Sequence, residues 1–370
     1  MLHRCGLLPE DAAKVFGVTE AVGRKLVAAA VGRGESDLSS LEGVRKQTLR
    51  AIAASSTAEP LRLAAREAAP DGFVKYLFAL ADGALVETVR IPVPCEVPGA
   101  DLRAFEGKEK KYIVCVSSQV GCALACSFCA TGALGFKRNL EPHEIVGQVL
   151  AVRDERKRSP SPPHPDAFGD RPVRGVVFMG MGEPFLNYDH VLTAARILCH
   201  PAGGQIDGRA ITISTAGIAP AIRRFTAERH KFRLAVSLTQ ATPAKRLPLM
   251  PIERVHPTAE VGAALHAHAR ARRQRVLVEY VLLGGVNDSV EDASALTRLL
   301  DPKLVTLDLI DVNGDTGGYH RSSAARRSAF LDVLAGARMP FAIRYSGGQE
   351  VRAGCGQLAT GSPGGARMLL

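Results

Sequence analysis

The stretch VSSQVGCALACSFCATGALGF, from Val116 to Phe136, carries three cysteines spaced C-x₃-C-x₂-C, namely Cys122, Cys126 and Cys129. A closed tetrahedral metal site takes four protein ligands, whereas this stretch offers three thiols and no histidine. Three thiolates suit a [4Fe–4S] cluster whose fourth iron keeps an exchangeable position. A zinc site with a distant fourth ligand, or plain buried cysteines, are the alternative interpretations.

Short apolar runs surround this stretch and alternate with helical patterns, which is typical of an α/β protein. Runs rich in Val, Ile and Leu fit strands buried on both faces of a parallel sheet. The number of repeats predicts a partial (βα)6 barrel, in which function gathers on the loops that follow the strands. The cysteine stretch follows the first of these runs. The runs are YIVCVSS, GVVFMGMG, AITIST, FRLAVSL, VLVEYVLLGG, VTLDLIDV and FAIRYSG.

Outside the barrel region the pattern predicts three further units. Residues 1–65 have helical periodicity and form an accessory domain that either contacts nucleic acid or only packs. Residues 66–107 contain a β-hairpin with its turn at Asp82-Gly83, followed by a charged connector. The barrel core is predicted at 108–350, and residues 351–370 form a C-terminal segment. Ser289 and Asp292 are spaced as an N-cap pair for a helix.

Composition bounds the class of protein. The 370 residues carry 47 basic and 37 acidic side chains, a net charge of +10, which favours a polyanionic partner such as nucleic acid. Aromatic residues make up only 5%, with no Trp, so an aromatic stacking platform for bases is not indicated. We find no signal peptide and no apolar run long enough to span a membrane, which predicts a cytoplasmic protein.

Specific motifs occur in one order along roughly residues 70 to 360. Together they resemble the radical S-adenosylmethionine (SAM) 23S rRNA adenine methyltransferase family, whose dual-specificity members also modify tRNA. The resemblance implies a [4Fe–4S] cluster on Cys122, Cys126 and Cys129, SAM as the second cofactor, and methylation of adenine at C2 or C8. The motifs are CVSSQVGCALACSFCATGALGFKRNL, FMGMGEPFLNYD, ITISTAG, LAVSL, LMPI, VEYVLLGGVNDS and GCGQLA.

The resemblance also implies a two-stage mechanism with three catalytic residues. One SAM methylates Cys355 in GCGQL, and a second SAM yields a radical that removes hydrogen from this methyl group. The resulting carbon radical adds to the adenine ring. Cys115 then attacks the Cys355 sulfur and a disulfide forms, while Glu87 in LVETVRIP takes the ring proton.

Positions that match the SAM-binding residues of the family are found less uniformly. Thr239 and Gln240 stand where the family has histidine and alanine, and Asn313 lacks the usual proline-rich surroundings. The segments 95–111 and 153–172 are also longer than usual. The implied SAM contacts are Gly182, Glu183, Ser214, Ser237, Leu238, Thr239 and Asn313.

The expected partners are RNA, either rRNA or tRNA, and an electron donor such as flavodoxin or ferredoxin, with the enzyme acting as a monomer. Two rival functions remain open on the residues alone. One is a radical SAM enzyme that acts on a substrate other than RNA, against which the Cys115 and Cys355 pair argues, because generic members of that superfamily need neither cysteine. The other is a non-enzymatic zinc-containing nucleic-acid-binding protein.

Overall fold

The structure is a computed structural model of the chain. It describes residues 1–39, 41–93, 111–158, 173–313 and 316–359. Most of the connector at 95–111 and of the segment 153–172, together with residues 360–370, lies outside the described residues.

The N-terminal region is helical, as predicted. A parallel strand pair joins its two ends, because β1 (Leu2–His3) pairs with β2 (Ser56–Thr57). Between them lie α1 (Pro9–Phe16), α2 (Glu20–Val27), a π-helical segment (Ala28–Arg33) and α3 (Lys46–Ser55). Gly17 ends α1 in the left-handed conformation, with φ 61°, and the Thr19 side chain caps α2. The amphipathic helices bury Leu26, Leu49 and Ile52 between them.

A mixed ten-stranded sheet forms the centre of the described molecule. Its first three strands are antiparallel, and the strands that follow run parallel to one another. A separate two-stranded hairpin, β7 (Gln119–Gly121) with β8 (Phe136–Asn139), carries the cysteine stretch. In spatial order the sheet runs β14 (Phe341–Arg344), β13 (Val305–Asp311), β12 (Val276–Leu282), β11 (Arg233–Ser237), β10 (Ile211–Thr215), β9 (Val173–Phe178), β6 (Lys111–Cys115), β5 (Leu85–Val93), β4 (Val74–Ala79) and β3 (Arg62–Ala68).

Helices connect the parallel strands and cover the sheet. Their apolar faces pack on strand residues such as Val176, Ile213 and Val278, all fully buried in the main core. The helices are α4 (Ala130–Ala133), α5 (Pro142–Arg158), α6 (Tyr188–Cys199), α7 (Ala219–Ala227), α8 (Pro243–Leu249), α9 (Thr258–Arg272), α10 (Val290–Leu299) and α11 (Ala324–Gly336). The predicted cap of α10 is confirmed, since Ser289 and Asp292 form a reciprocal capping box.

The described sheet differs from the predicted one in two respects. All seven quoted apolar runs are strands, which makes seven parallel strands rather than the six of a (βα)6 unit. The predicted hairpin is present as β4 and β5, but β3 precedes it and all three strands extend the parallel sheet through the β5–β6 pairing. The predicted boundary at residue 65 falls inside β3. The sequence did not reveal this strand, because its polar, alanine-rich segment RLAAREA has no alternation of apolar residues.

No helix in the described ranges is long and apolar enough to cross a membrane.

Candidate active site

The cysteine loop, residues 122–129, lies between β7 and α4 and is closed at its base by a tight backbone contact. Gly121 has φ 74°, and a Cβ there would lie 1.8 Å from the Gly135 carbonyl oxygen, so only glycine fits. The Cys122 N–H donates to the same carbonyl at 3.0 Å. Farther along, the Ser127 N–H donates to the Leu249 carbonyl at 3.0 Å, which ties the loop to α8. These contacts hold the loop at the ends of the parallel strands.

All three thiols of this loop are half-buried against one apolar wall that includes Leu249, Met250 and Leu283. Burial raises the pKa of the Cys122 thiol to about 12, and burial together with the other two cysteines raises that of Cys126. A thiolate trio here therefore needs a compensating positive charge, as iron supplies. In the described ranges no three His, Cys, Asp or Glu side chains are arranged to hold a single metal ion. The donor set itself fits an iron–sulfur cluster.

The C-terminal turn, residues 353–359, is docked directly on the cysteine loop. The Ala130 N–H, next to Cys129, donates to the Gly356 carbonyl at 2.8 Å, and the Thr131 hydroxyl donates to the Leu358 carbonyl at 2.6 Å. Gly356 has φ 76°, and a Cβ there would stand 3.1 Å from the Phe128 carbonyl oxygen. A side chain at 356 would thus strain the turn and push it off the loop. Residue 355 is therefore held beside the cysteine loop.

Cys115 and Cys355 are brought together by this docking. Cys115 ends β6 and packs in one apolar cluster with Ala353 and Leu358 of the C-terminal turn. Burial raises the pKa of the Cys115 thiol to about 12, and the nearby Cys355 thiol adds to this rise. Both cysteines are free thiols, and Cys355 is exposed whereas Cys115 is buried. The exposed thiol is accessible to a cosubstrate, and the buried thiol lies behind it.

Charged residues on three neighbouring strands of the parallel sheet lie around Cys355, and the sequence did not reveal them. Arg344 on β14 pairs with Asp308 on β13 and, at 3.5 Å, with Glu279 on β12. Although residue 355 is exposed as a whole, the protein groups packed around its thiol desolvate it and raise its pKa, while the Arg344 guanidinium opposes this rise by charge and by a hydrogen bond. Ser214 on β10 joins the same group by donating to Glu279 at 2.7 Å. A charged residue within each of the apolar runs VLVEYVLL, VTLDLIDV and FAIRYSG was the signal that could have revealed them.

Gly182 and Glu183, two of the implied SAM contacts, lie after β9, and the Glu183 side chain is buried. Gly182 has φ 97°, and a Cβ there would clash with Gln119 at 2.5 Å. The Glu183 carboxylate accepts the N–H of Phe185 at 3.0 Å and the N–H of Ala216, after β10, at 2.8 Å. Burial raises the pKa of Glu183. The carboxylate also accepts a hydrogen bond from the Thr215 hydroxyl, and it keeps capacity for one further donor such as a ligand ammonium.

The segment after β11 is strained at the position where the family pattern changes. Thr239 has φ 56°, rare for a β-branched residue, and the Gln240 N–H donates to the Leu238 carbonyl at 2.6 Å across it. The Asn287 amide donates to the Thr239 carbonyl at 2.7 Å and holds the turn. The Gln240 side chain accepts the N–H of Ala241 and that of Thr242, so it supports the backbone rather than facing the site.

The remaining implied SAM contacts lie at two separate edges of the site. Ser237 ends β11, is half-buried, and stands opposite Glu279 in the strand register. Asn313, after β13, is buried and donates to the Ser346 hydroxyl. A Cβ at Gly354 would lie 2.3 Å from the Asn313 amide nitrogen, so Asn313 packs under the C-terminal turn.

Arg246 on α8 is the largest fully buried side chain in the described residues and connects three of these segments. Its guanidinium pairs with Glu253 at 2.6 Å and donates to the carbonyls of Ala216 at 2.7 Å and Leu238 at 3.3 Å. The motif LMPI lies between the two charged partners. Arg246 therefore sets the spacing of the segments after β10 and β11.

Replacing Arg246 by methionine is expected to lower the free energy of unfolding by about 3 kcal/mol or more, because Glu253 is left buried and unpaired. Chemical denaturation measures this loss. The control is Arg223→Met, which removes an exposed ion pair with Glu260 and should change stability by less than about 1 kcal/mol. Equal, small effects of the two substitutions would contradict the structural role of Arg246.

Glu87 lies on β5, two residues from Val89, which stands opposite Cys115 in the strand register. Its side chain is 2% exposed. Burial raises the pKa of its carboxyl to about 7, and the Lys75 ammonium and the Ala359 N–H, from the C-terminal turn, oppose this rise. The structure thus places a titratable carboxyl on the strand next to Cys115 and in contact with the C-terminal turn that carries Cys355.

No family model matches the chain. A probable RNA methyltransferase of Anaeromyxobacter sp. (strain Fw109-5) is 48% identical over 362 residues, which span 97% of this chain and 99% of that protein. The dual-specificity RNA methyltransferase RlmN of Syntrophobacter fumaroxidans is 38% identical over 355 residues, spanning 95% of this chain and 96% of that protein. Among solved structures, a radical SAM methyltransferase from Sphaerobacter thermophilus shares 33% identity and a TM-score of 0.82, over 96% of this chain and 99% of that one.

Proposed function

Because this chain belongs to the RlmN family of RNA methyltransferases, we propose that it methylates an adenine ring carbon, C2 or C8, of ribosomal RNA through a methylated Cys355. The chain is an RNA methyltransferase that works by a radical SAM mechanism. The observation that carries the finer proposal is the docking of the C-terminal turn on the cysteine loop, through the bonds of Ala130 and Thr131 to it.

The cysteine loop is proposed to bind a [4Fe–4S] cluster through Cys122, Cys126 and Cys129. When bound, the cluster supplies the electron that cleaves SAM reductively. The apolar wall of Leu249, Met250 and Leu283 keeps water away from the loop. Glu183 offers a carboxylate to the amino group of SAM, and its two backbone hydrogen bonds fix the direction in which it points. The segments that Arg246 spaces would line the rest of the SAM site.

Cys355 is proposed to accept the methyl group first. Its thiolate attacks the SAM methyl carbon, a sulfur–carbon bond forms, and the sulfonium bond to that carbon breaks with release of S-adenosylhomocysteine. Exposure of Cys355 permits this approach, and Arg344 favours the thiolate over the thiol. A thioether then stands beside the cysteine loop, where hydrogen removal from its methyl group is possible over a short distance.

Cys115 and Glu87 are proposed to release the product. The Cys115 sulfur bonds to the Cys355 sulfur, and the carbon–sulfur bond that links the RNA to Cys355 breaks. The carbon keeps the bonding electrons and takes up a proton to become a methyl group. Addition of the carbon radical leaves an unpaired electron on the adduct, which would pass to the bound cluster, while Glu87 accepts the proton of the ring carbon. Together these two losses restore the aromatic adenine. The two sulfurs are left as a disulfide, which a dithiol must reduce before the next turnover.

RNA is the substrate that the family and the net charge of +10 both support. We further propose rRNA with tRNA as a second substrate, flavodoxin or ferredoxin as electron donor, and a monomeric enzyme. The two rival functions considered above fall away, because a radical SAM enzyme with another substrate or a zinc-containing binding protein would not share this family.

Replacing Cys115 by alanine is expected to trap a covalent protein–RNA adduct, because the carbon–sulfur bond to Cys355 can then no longer be resolved. Denaturing gel electrophoresis of a single-turnover reaction with radiolabelled RNA detects the adduct. The double variant Cys115→Ala/Cys355→Ala is the control and should show none. An active Cys115→Ala enzyme that releases only free methylated RNA would defeat the two-cysteine mechanism.

The proposed function is tested by mass spectrometry of nucleosides. RNA from cells that lack this protein is expected to lose one methyladenosine, and anaerobically purified enzyme with SAM and a reductant should restore it. The same preparation should be brown and hold about four irons per chain. An unchanged nucleoside profile, or a colourless zinc protein that leaves RNA unmodified, would contradict the proposal.

A further inference from the structure

Lys75 connects the proposed proton acceptor to the protein surface. Its ammonium lies 3.5 Å from Oε1 of Glu87 and 3.2 Å from Oε2 of Glu67. The side chains of Glu87 and Lys75 are 2% and 6% exposed, whereas that of Glu67 is 32% exposed. Burying the Lys75 ammonium costs desolvation free energy. This cost is offset only if the two neighbouring carboxylates, buried Glu87 and partly exposed Glu67, are ionised.

The strand register explains why these groups share one face of the sheet. Glu67 stands directly opposite Lys75, Lys75 opposite Val89, and Val89 opposite Cys115, across β3, β4, β5 and β6. Directly opposite residues point to the same side, and so does Glu87, two residues from Val89. The charged row therefore leads from the sheet edge to the resolving cysteine.

The groups that face Glu87 come from every element packed on it. They are Lys75 from β4, Glu67 from β3, the Ser117 hydroxyl after β6, which donates to the Glu87 carbonyl at 2.6 Å, the Met181 sulfur after β9, which accepts the Glu87 N–H at 3.4 Å, and the Ala359 N–H from the C-terminal turn. Lys75 is the only full positive charge in this set. Burial favours the neutral acid, which cannot accept a proton, so the charge of Lys75 decides how much base is present at neutral pH.

We propose that Lys75 is a positioning residue for the reaction, because it holds the Glu87 carboxylate ionised and aimed, while Glu67 shares the same ammonium and repels Glu87 by its like charge. The inference rests on the proposed role of Glu87 as proton acceptor. It predicts opposite effects of the two neighbours. Loss of Lys75 raises the pH at which Glu87 ionises, whereas loss of the negative Glu67 lowers it.

The test uses cluster-loaded, full-length enzyme and two readouts. The first is the infrared band of the protonated Glu87 carboxyl, isolated by subtracting the spectrum of Glu87→Gln and followed against pH. The second is the pH dependence of adduct resolution in a single turnover. In Lys75→Met both midpoints should rise by about one pH unit or more, and resolution at pH 7 should slow about fivefold or more. Lys75→Arg keeps the charge and should restore the wild-type midpoint.

Glu67→Gln provides an independent arm, since its partly exposed position makes it less disruptive to the fold. Its midpoint should move downwards, by less than the upward movement in Lys75→Met. An unchanged Glu87 midpoint in Lys75→Met, or an unchanged or raised midpoint in Glu67→Gln, would overturn the inference. If Glu87→Gln resolved the adduct at the wild-type rate, the proposed role of Glu87 as proton acceptor would fail. The infrared titration would still test separately whether Lys75 controls the ionisation of Glu87.

Discussion

Replacing Cys355 by alanine is expected to reduce RNA methylation by at least about a thousandfold, the scale on which loss of a covalent nucleophile slows an enzyme. Without the Cys355 sulfur no thioether forms, so there is no methyl group beside the cysteine loop from which hydrogen can be removed. Methylation is measured with labelled SAM and RNA. The iron content should stay at the wild-type value, because Cys355 lies on the C-terminal turn and is not one of the three proposed ligands.

The matched control is Cys199→Ala. Cys199 ends α6, is half-buried like the ligand cysteines, and takes no part in the described site. Its replacement should leave methylation within about twofold of wild type, because exchanging a small side chain for a slightly smaller one outside the site affects stability only modestly. A Cys355→Ala enzyme that still methylates RNA at a comparable rate would place the methyl carrier elsewhere.

Replacing Cys126 by alanine is expected to remove most of the bound iron and all activity. Two thiolates cannot hold a [4Fe–4S] cluster that is built on three. Iron analysis and the visible absorption of anaerobically purified protein measure the loss. Cys199→Ala again serves as control and should stay brown. A Cys126→Ala protein with its full iron content would refute the assignment of the ligands.

The local parts of the fold were predictable from the sequence because local chemistry determines them. The seven apolar runs form strands, and Ser289 and Asp292 form the cap of α10. The strand β3 was missed because packing on β4, not its own pattern, makes it a strand. Its register matters to the site, since it places Glu67 opposite Lys75.

The site was predictable only where motifs carry the chemistry. The cysteine spacing and GCGQL named the residues, but no pattern states that residues 130 and 356 hydrogen-bond across more than two hundred positions. The partners of Arg246 and of Arg344 come from strands and helices far apart in the chain, so they appear only in the folded protein. A charged residue within an apolar strand sequence was the available signal. It shows where a charge lies but does not show which residue the charge pairs with.

The most direct test of the account is to follow the methyl group of SAM that carries deuterium on its methyl carbon. We predict that the peptide containing Cys355 first carries the deuterated methyl group. When RNA is added, deuterium should appear in 5′-deoxyadenosine while the labelled carbon leaves Cys355 for an adenine ring. Labelled methyladenosine formed while Cys355 stays unmodified throughout, with no deuterium in 5′-deoxyadenosine, would contradict the account.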